Sequence, residues 1–254
     1  MIDLVTTSAA DLISRTEGFG WVWLSGLHLE DEYGAKVSSY ITQKEMNRLQ
    51  AYPPRHCRHR AMGRIAAKDA VRHRLSLLGK ECPAPSEITI ASGKTGCPRA
   101  MLPNGEEFHI SIAHSAGIAV AMSSDAAVGI DVERVREHRP GMEELVLSSR
   151  EKDLLVEVTG CGGPIEAGAR CKTFLRFWTA KEAVSKAIGT GLRGRMFDFE
   201  IVDGYRELLD VCHHPSQTRY GVSTFTLLHP AHSGSESAEY VVAWTGCDGS
   251  KTAS

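Results

Sequence analysis

Two long helical patterns, each handing over to a run of short strands, limit how this chain can fold. From Arg55 to Leu78 the apolar residues Met62, Ile65, Ala66, Ala70, Val71, Leu75 and Leu78 recur at the spacing of one helix face, and Gly79 follows as a stop. Thr173 to Ile188 is the second strong helix, closed by the turn Gly189-Thr190-Gly191. Shorter helices are expected at Ser38 to Leu49, before the Pro53-Pro54 break, and at Met142 to Val158. Strands are expected at Gly20 to Leu27, Glu87 to Ala91, Phe108 to Ile112 and Ile118 to Met122, with Ala126 to Val132 continuing the same sheet. Further strands follow at Phe197 to Val202, Leu208 to Cys212, Gly221 to Leu228 and Glu239 to Trp244. Helices that interrupt strand runs in this way indicate an α+β chain. Thr159 to Pro164 reads as a flexible connection, 246–254 as a flexible tail, and no internal sequence repeat is apparent.

A chain of 254 residues that is 42% hydrophobic and 24% charged can bury a sizeable core and reads as a globular, water-soluble protein. Its formal net charge of -2 argues against a surface wholly committed to nucleic acid or anionic lipid, so electrostatic recognition must be local. The seven cysteines are scattered without zinc-site or redox-pair spacing and read as reduced thiols. Met1 to Arg15 lacks the pattern of a secretory signal, and no apolar run is long enough to span a membrane. The expected location is the cytoplasm, with no membrane or nucleic-acid partner, and the chain is expected to act as a monomer.

Chemistry concentrates in two segments. In Gly129-Ile130-Asp131-Val132-Glu133 two carboxylates stand two residues apart, so a strand points both the same way. One reading is a solvent-facing strand edge. The other is a cation site, because a nearly continuous apolar strand rarely ends in paired carboxylates without one, and oxygen-only ligands favour a hard ion such as magnesium. In Trp178-Thr179-Ala180-Lys181-Glu182-Ala183-Val184-Ser185-Lys186, Glu182 and Lys186 share a helix face. Alone they read as an ordinary surface pair, Lys181 as equally able to face solvent, and Trp178 as a core anchor. Together the segments supply three carboxylates and a lysine, the makings of a magnesium and phosphate site.

Seven cationic residues against the single acid Asp69 lie between Arg55 and Arg74. They read as a solvated helix face, a nucleic-acid surface or a site for a ligand with several phosphates, and the aromatic interleaving of single-strand binders is missing. His109 and His114 fit no familiar metal spacing. His114, in Ala113-His114-Ser115-Ala116-Gly117, is the better candidate because small residues let a ligand approach.

The combination resembles the Sfp-type 4′-phosphopantetheinyl transferases, which share a GIDxE segment, a WxxKEAxxK helix and an upstream strand leading to a His-Ser turn. Here these are Gly129 to Glu133, Trp178 to Lys186, and Ser111-Ile112-Ala113-His114-Ser115. The resemblance implies two similar α+β halves related by a pseudo-twofold, with coenzyme A in the cleft between them. The halves would be 1–125, carrying nucleotide phosphate contacts, and 126–245, carrying the metal site and catalytic helix. It implies transfer of the phosphopantetheine arm of coenzyme A to a serine of an apo acyl or peptidyl carrier protein, in fatty-acid, polyketide or peptide synthesis, releasing adenosine 3′,5′-bisphosphate. Asp131, Glu133 and Glu182 match the family's magnesium ligands, and Lys186 its lysine near the pyrophosphate.

In those roles Glu182 is the candidate base for the carrier serine and Lys186 the stabiliser or proton donor of the leaving phosphate, with Asp131 completing the catalytic set. Arg58 or Arg60, with His114, would hold the nucleotide phosphates. Gly96-Cys97-Pro98 stands where the family usually has Gly-Lys-Pro or Gly-Arg-Pro, so Arg99 or Lys94 must supply the missing cation, and Ala113 stands where serine is frequent. The stretch Met142 to Arg176, with Arg150 and Lys152, is the expected carrier-facing surface. The rival readings are a magnesium-dependent phosphodiesterase or nuclease, and a non-catalytic module in which Glu182 and Lys186 merely pair.

Overall fold

The computed structural model describes residues 18–23, 37–93, 97–137, 139–159, 167–205, 207–229, 237–246 and 251–252. They form two compact units that meet in sequence at Val128 and Gly129. Of the expected flexible connection Thr159 to Pro164, Thr159 is the last residue of a helix, and 160–164, the candidate cation Lys94 and the N-terminal stretch to Arg15 fall outside the described residues.

In the N-terminal unit, strand β1 (Gly18–Trp23) precedes helix α1 (Gln43–Leu49) and the long helix α2 (Pro54–Leu77). Pro54 opens α2, where its missing N–H costs nothing, and Gly79 at φ +65° closes it. The expected helix from Ser38 is broken: a helical turn at 37–40 ends, and α1 restarts behind Thr42. Thr42 and Glu45 form a capping box, in which the Glu45 N–H donates to Thr42 Oγ1 and the Thr42 N–H to Glu45 Oε2.

Strands β2 (Thr89–Ser92), β3 (Pro98–Met101), β4 (Glu107–Ser115) and β5 (Ile118–Ser124) join β1 in a sheet of order β1-β5-β4-β3-β2. Strand β3 escapes the sequence pattern because Pro98 and Arg99 disguise its short alternation. The apolar face of α2, from Ala61 to Leu75, packs with Ile88, Ile90, Phe108 and Ile110 of this sheet and its approach in one buried core.

The C-terminal unit starts with β6 (Val128–Arg134), which joins a second sheet and does not continue the first. The chain turns away after β5, where the Ala126 N–H donates to Ser124 Oγ. The expected helix 142–158 is two: α3 (Met142–Val146) and α4 (Ser149–Thr159), separated by an extended Leu147. Ser148 and Glu151 exchange the same reciprocal bonds as Thr42 and Glu45. Helix α5 (Ala167–Ala187) is followed by β7 (Phe199–Tyr205), β8 (Leu208–His213), β9 (Thr218–His229) and β10 (Ala238–Gly246), in the order β6-β10-β9-β8-β7. Within the stretch read as a tail, β11 (Lys251–Thr252) pairs with β9.

The two sheets have the same order, with β6 to β10 standing where β1 to β5 stand. The sequence echoes it after all: Ala67-Lys68-Asp69-Ala70-Val71 on α2 matches Ala180-Lys181-Glu182-Ala183-Val184 on α5. Each lysine is fully buried on its own unit's capping-box glutamate. Lys68 Nζ donates to Glu45 Oε2 at 2.8 Å and Tyr40 O at 2.6 Å. Lys181 Nζ donates to Glu151 Oε2 at 2.7 Å and Val146 O at 2.8 Å. Lys181 is therefore not solvent-facing: Phe177, Ala180, Val184 and Ser185 around it are buried as well, and the ammonium is stable there only because acceptors surround it.

Candidate functional site

Strand β6 and helix α5 meet at an unusually close seam. A side chain at Gly129 would drive its Cβ into the carbonyl oxygen of Ala183 and to 2.7 Å from the Ala187 amide nitrogen. Glycine on the strand and alanines four residues apart on the helix let the two backbones approach. That approach sets Asp131, two residues beyond Gly129, against Lys186. The ammonium donates to Asp131 Oδ1 at 2.7 Å and to Ile130 O at 3.1 Å. The pairing of Glu182 with Lys186 that a surface helix would favour gives way to this bond between strand and helix.

Asp131 is buried at 7% exposure, and its second oxygen, Oδ2, has no hydrogen-bond partner among the described residues. Burial holds its carboxyl above the usual range, opposed by Lys186 and the Val132 N–H. Glu182 is also raised, first by burial and then by the negative charge of Asp131, with Glu133 adding to it and Lys186 opposing. Asp131, Glu133 and Glu182 thus feel one another, three carboxylates against one ammonium. Trp178, half-buried one turn earlier, packs against the unit's core as an anchor.

This donor set fits a hard divalent cation. It is made of oxygens alone, one of them buried and unsatisfied, and its electrostatics call for positive charge. Among the described residues no group of three His, Cys, Asp or Glu side chains is placed to hold a metal ion, Asp131, Glu133 and Glu182 included, so these carboxylates would have to draw closer and share an ion with water and substrate oxygens.

Beside Glu182, Lys181 fixes the helix. Its ammonium joins Glu151, the end of α3 at Val146 O and the 3-10 turn Met196–Asp198 at Met196 O, 3.5 Å away. Glu151 Oε1 accepts from the Ile201 N–H on β7 at 2.7 Å. The Lys181–Glu151 anchor escaped the sequence reading, although Ser-x-x-Glu at 148–151 is a legible capping-box signature.

The expected phosphate contacts lie in the N-terminal unit. His114 is the penultimate residue of β4, and the turn itself is the two-residue hairpin Ala116-Gly117, with φ of +35° and +93°. His114 lines a small open cavity with His59, Met62, Ser115, Ala116, Gly117 and Ile118, and its ring stacks near His59, centroids 6.4 Å apart. Gly63 makes this possible: a Cβ there would come within 2.5 Å of His114 Nε2. His59 was not singled out from the sequence, although it stands one turn before Gly63. Arg58, Arg60 and Arg99 do not line this cavity. Arg58 is exposed on α2, Arg60 lies 4.1 Å over the Tyr52 ring, and Arg99 pairs in register with His109, whose pKa burial and the nearby guanidinium lower.

The family model of the 4′-phosphopantetheinyl transferase superfamily matches residues 127–245, the span that holds β6, α5 and the three carboxylates. A protein of Thraustochytrium sp. named phosphopantetheinyl transferase is 25% identical over 177 residues, which cover 66% of this chain. The match spans 59% of that relative's length.

Proposed function

We propose that this chain, whose residues 127–245 match the model of the 4′-phosphopantetheinyl transferase superfamily, moves the phosphopantetheine arm of coenzyme A onto a serine of an apo acyl or peptidyl carrier protein. The reading is supported by the buried Asp131 and the half-buried Glu133, Glu182 and Lys186, which lie inside the matched segment. Asp131, Glu133 and Glu182 would hold magnesium, which draws charge off a pyrophosphate.

Glu182, raised by burial and its acidic neighbours, takes the proton of the carrier serine as the serine oxygen bonds to the β-phosphorus. The bond from that phosphorus to the bridging oxygen breaks, and adenosine 3′,5′-bisphosphate leaves. Lys186 meets the charge gathering on the departing phosphate. Its bond to Asp131 holds it at the strand–helix seam in the absence of substrate. His114 and Arg58 or Arg60 would take the nucleotide phosphates, with Arg99 the remaining candidate for the cation missing at Cys97.

The test is a mass measurement on apo carriers from fatty-acid, polyketide and peptide synthases, incubated with the chain, magnesium and coenzyme A. A gain equal to phosphopantetheine on the serine is expected. No gain on any carrier overturns the reading, and coenzyme A cleavage without transfer would favour a phosphodiesterase.

A further inference from the structure

The cavity beside His114 is lined by two imidazoles and a serine, and by no acid. His59 on α2 and His114 on β4 stack with centroids 6.4 Å apart and ring planes 11° from parallel. The sequence builds this contact on purpose of space: Gly63, one turn beyond His59, leaves the gap that the His114 ring enters, and any side chain there would collide with it.

Two imidazolium charges at that separation lie within one screening length, about 8 Å at physiological salt, so the pair holds its second proton poorly near neutral pH. The neighbouring elements do little to offset the repulsion. On α2 the one acid is Asp69, far along the helix and bonded by the Tyr40 hydroxyl. Strands β1, β2 and β5 have no titratable side chain, β3 has Arg99, and β4 has Glu107 and His109 toward its other end. Helix α1 contributes Lys44, Arg48 and Glu45, the last bonded by Lys68, and Glu87 of the 3-10 turn before β2 accepts from the Ala84 N–H. The charges nearest His59 in sequence are cationic: His56 and Arg58 are exposed, Arg60 lies over Tyr52, and Arg64 stands 3.8 Å from Glu45. A bound phosphate dianion reverses the balance, because it favours both imidazoliums and has oxygens enough to accept a charge-assisted hydrogen bond from each.

We propose that His59 and His114 act as one phosphate clamp that takes up a proton as it closes on the nucleotide end of coenzyme A or of adenosine 3′,5′-bisphosphate. His59 then supplies the second contact of this cavity, which neither Arg58 nor Arg60 lines. The bound form carries the extra proton, so affinity is greatest below the imidazole range and falls as pH rises through it, roughly between pH 6 and 8. The inference rests on the transferase reading for the identity of the ligand alone.

The experiment is calorimetric titration of the full chain with adenosine 3′,5′-bisphosphate at about pH 6, 7 and 8, in buffers of different ionisation enthalpy, with the ligand's own phosphate titration subtracted. Uptake of about half a proton or more per ligand is expected near pH 7, with affinity at least about fivefold higher at pH 6 than at pH 8. His59→Gln, which keeps a polar side chain without a titratable ring, should at least halve the uptake and flatten the pH profile to within about twofold. His73→Gln, elsewhere on α2, should leave both unchanged. Imidazole resonances of the unaltered chain give a reading that no variant's folding can disturb: the titration midpoints of His59 and His114 should both rise on binding. Binding without proton uptake, uptake undiminished in His59→Gln, midpoints that do not move, or absence of binding overturns the clamp. Transfer to apo carriers is scored separately. A chain that transfers phosphopantetheine yet binds the nucleotide without proton uptake overturns the clamp alone, and one that binds with uptake but modifies no carrier overturns the transferase reading alone.

Discussion

The two units share a plan and divide at one helix face. Both set a long helix against a sheet of the same strand order, and both bury a lysine on a capping-box glutamate. The residue after that lysine differs in its task. In the N-terminal unit Asp69 accepts a hydrogen bond from the Tyr40 hydroxyl at 2.6 Å. In the C-terminal unit Glu182 faces Asp131 and Glu133 instead, and the position four residues on is Lys186, where α2 has His73. The ion pair is therefore architecture common to both units, and the proposed chemistry would be an addition that one unit carries.

The largest effects should break the comparison at the carboxylates. Asp131→Ala and Glu182→Ala should each lower transfer at least about a hundredfold with the fold intact, and Lys186→Ala should cause a large loss in turnover. Asp69→Asn, at the corresponding place, should leave transfer within about twofold. Equal losses at Asp69 and Glu182 would mean that the units share the chemistry.

Next in size, Lys68→Ala and Lys181→Ala should both destabilise in urea unfolding, Lys181→Ala by about 3–5 kcal/mol because it leaves the fully buried Glu151 without its cation, and Lys68→Ala somewhat less because Arg64 stays 3.8 Å from Glu45. A loss at one site only would show that the shared plan hides unequal scaffolds. The smallest effect sharpens the N-terminal side. Burial, with the Asp69 bond and charge, raises the Tyr40 phenol to about 12. Its folded pKa exceeds its unfolded one, so the linked stability is present below about pH 10 and is lost as pH rises toward 12. Asp69→Asn should lower the ultraviolet titration midpoint of this tyrosine.

The long helices were legible because α2 and α5 carry their own spacing and stops, and the paired carboxylates because a strand has period two. What the sequence hid was the way short elements end and pair. Thr42-x-x-Glu45 and Ser148-x-x-Glu151 were visible signals, yet they lay inside patterns that read as continuous helix. That β6 joins β10 and not β5 depends on pairing between distant segments, which no local pattern encodes. Lys181 looked like any helix lysine because its burial depends on Glu151 and two carbonyls far along the chain. At the site, the helix taken alone offered Glu182 as the local partner of Lys186 beside its role at the pyrophosphate, and the bond to Asp131 on a distant strand was not readable from local spacing.

Gly129 carries no reactive group, yet it acts as a spacer of zero thickness. Every other amino acid inserts at least one carbon into the seam between β6 and α5, so single substitutions at this position cannot retune the separation of Asp131 from Lys186 in small steps. Variation that widens the centre for another reaction would have to enter through residues such as Glu182 or Glu133, whose side chains can shorten or lengthen while the seam stays closed. One glycine thus decides which directions of change remain open to the chain.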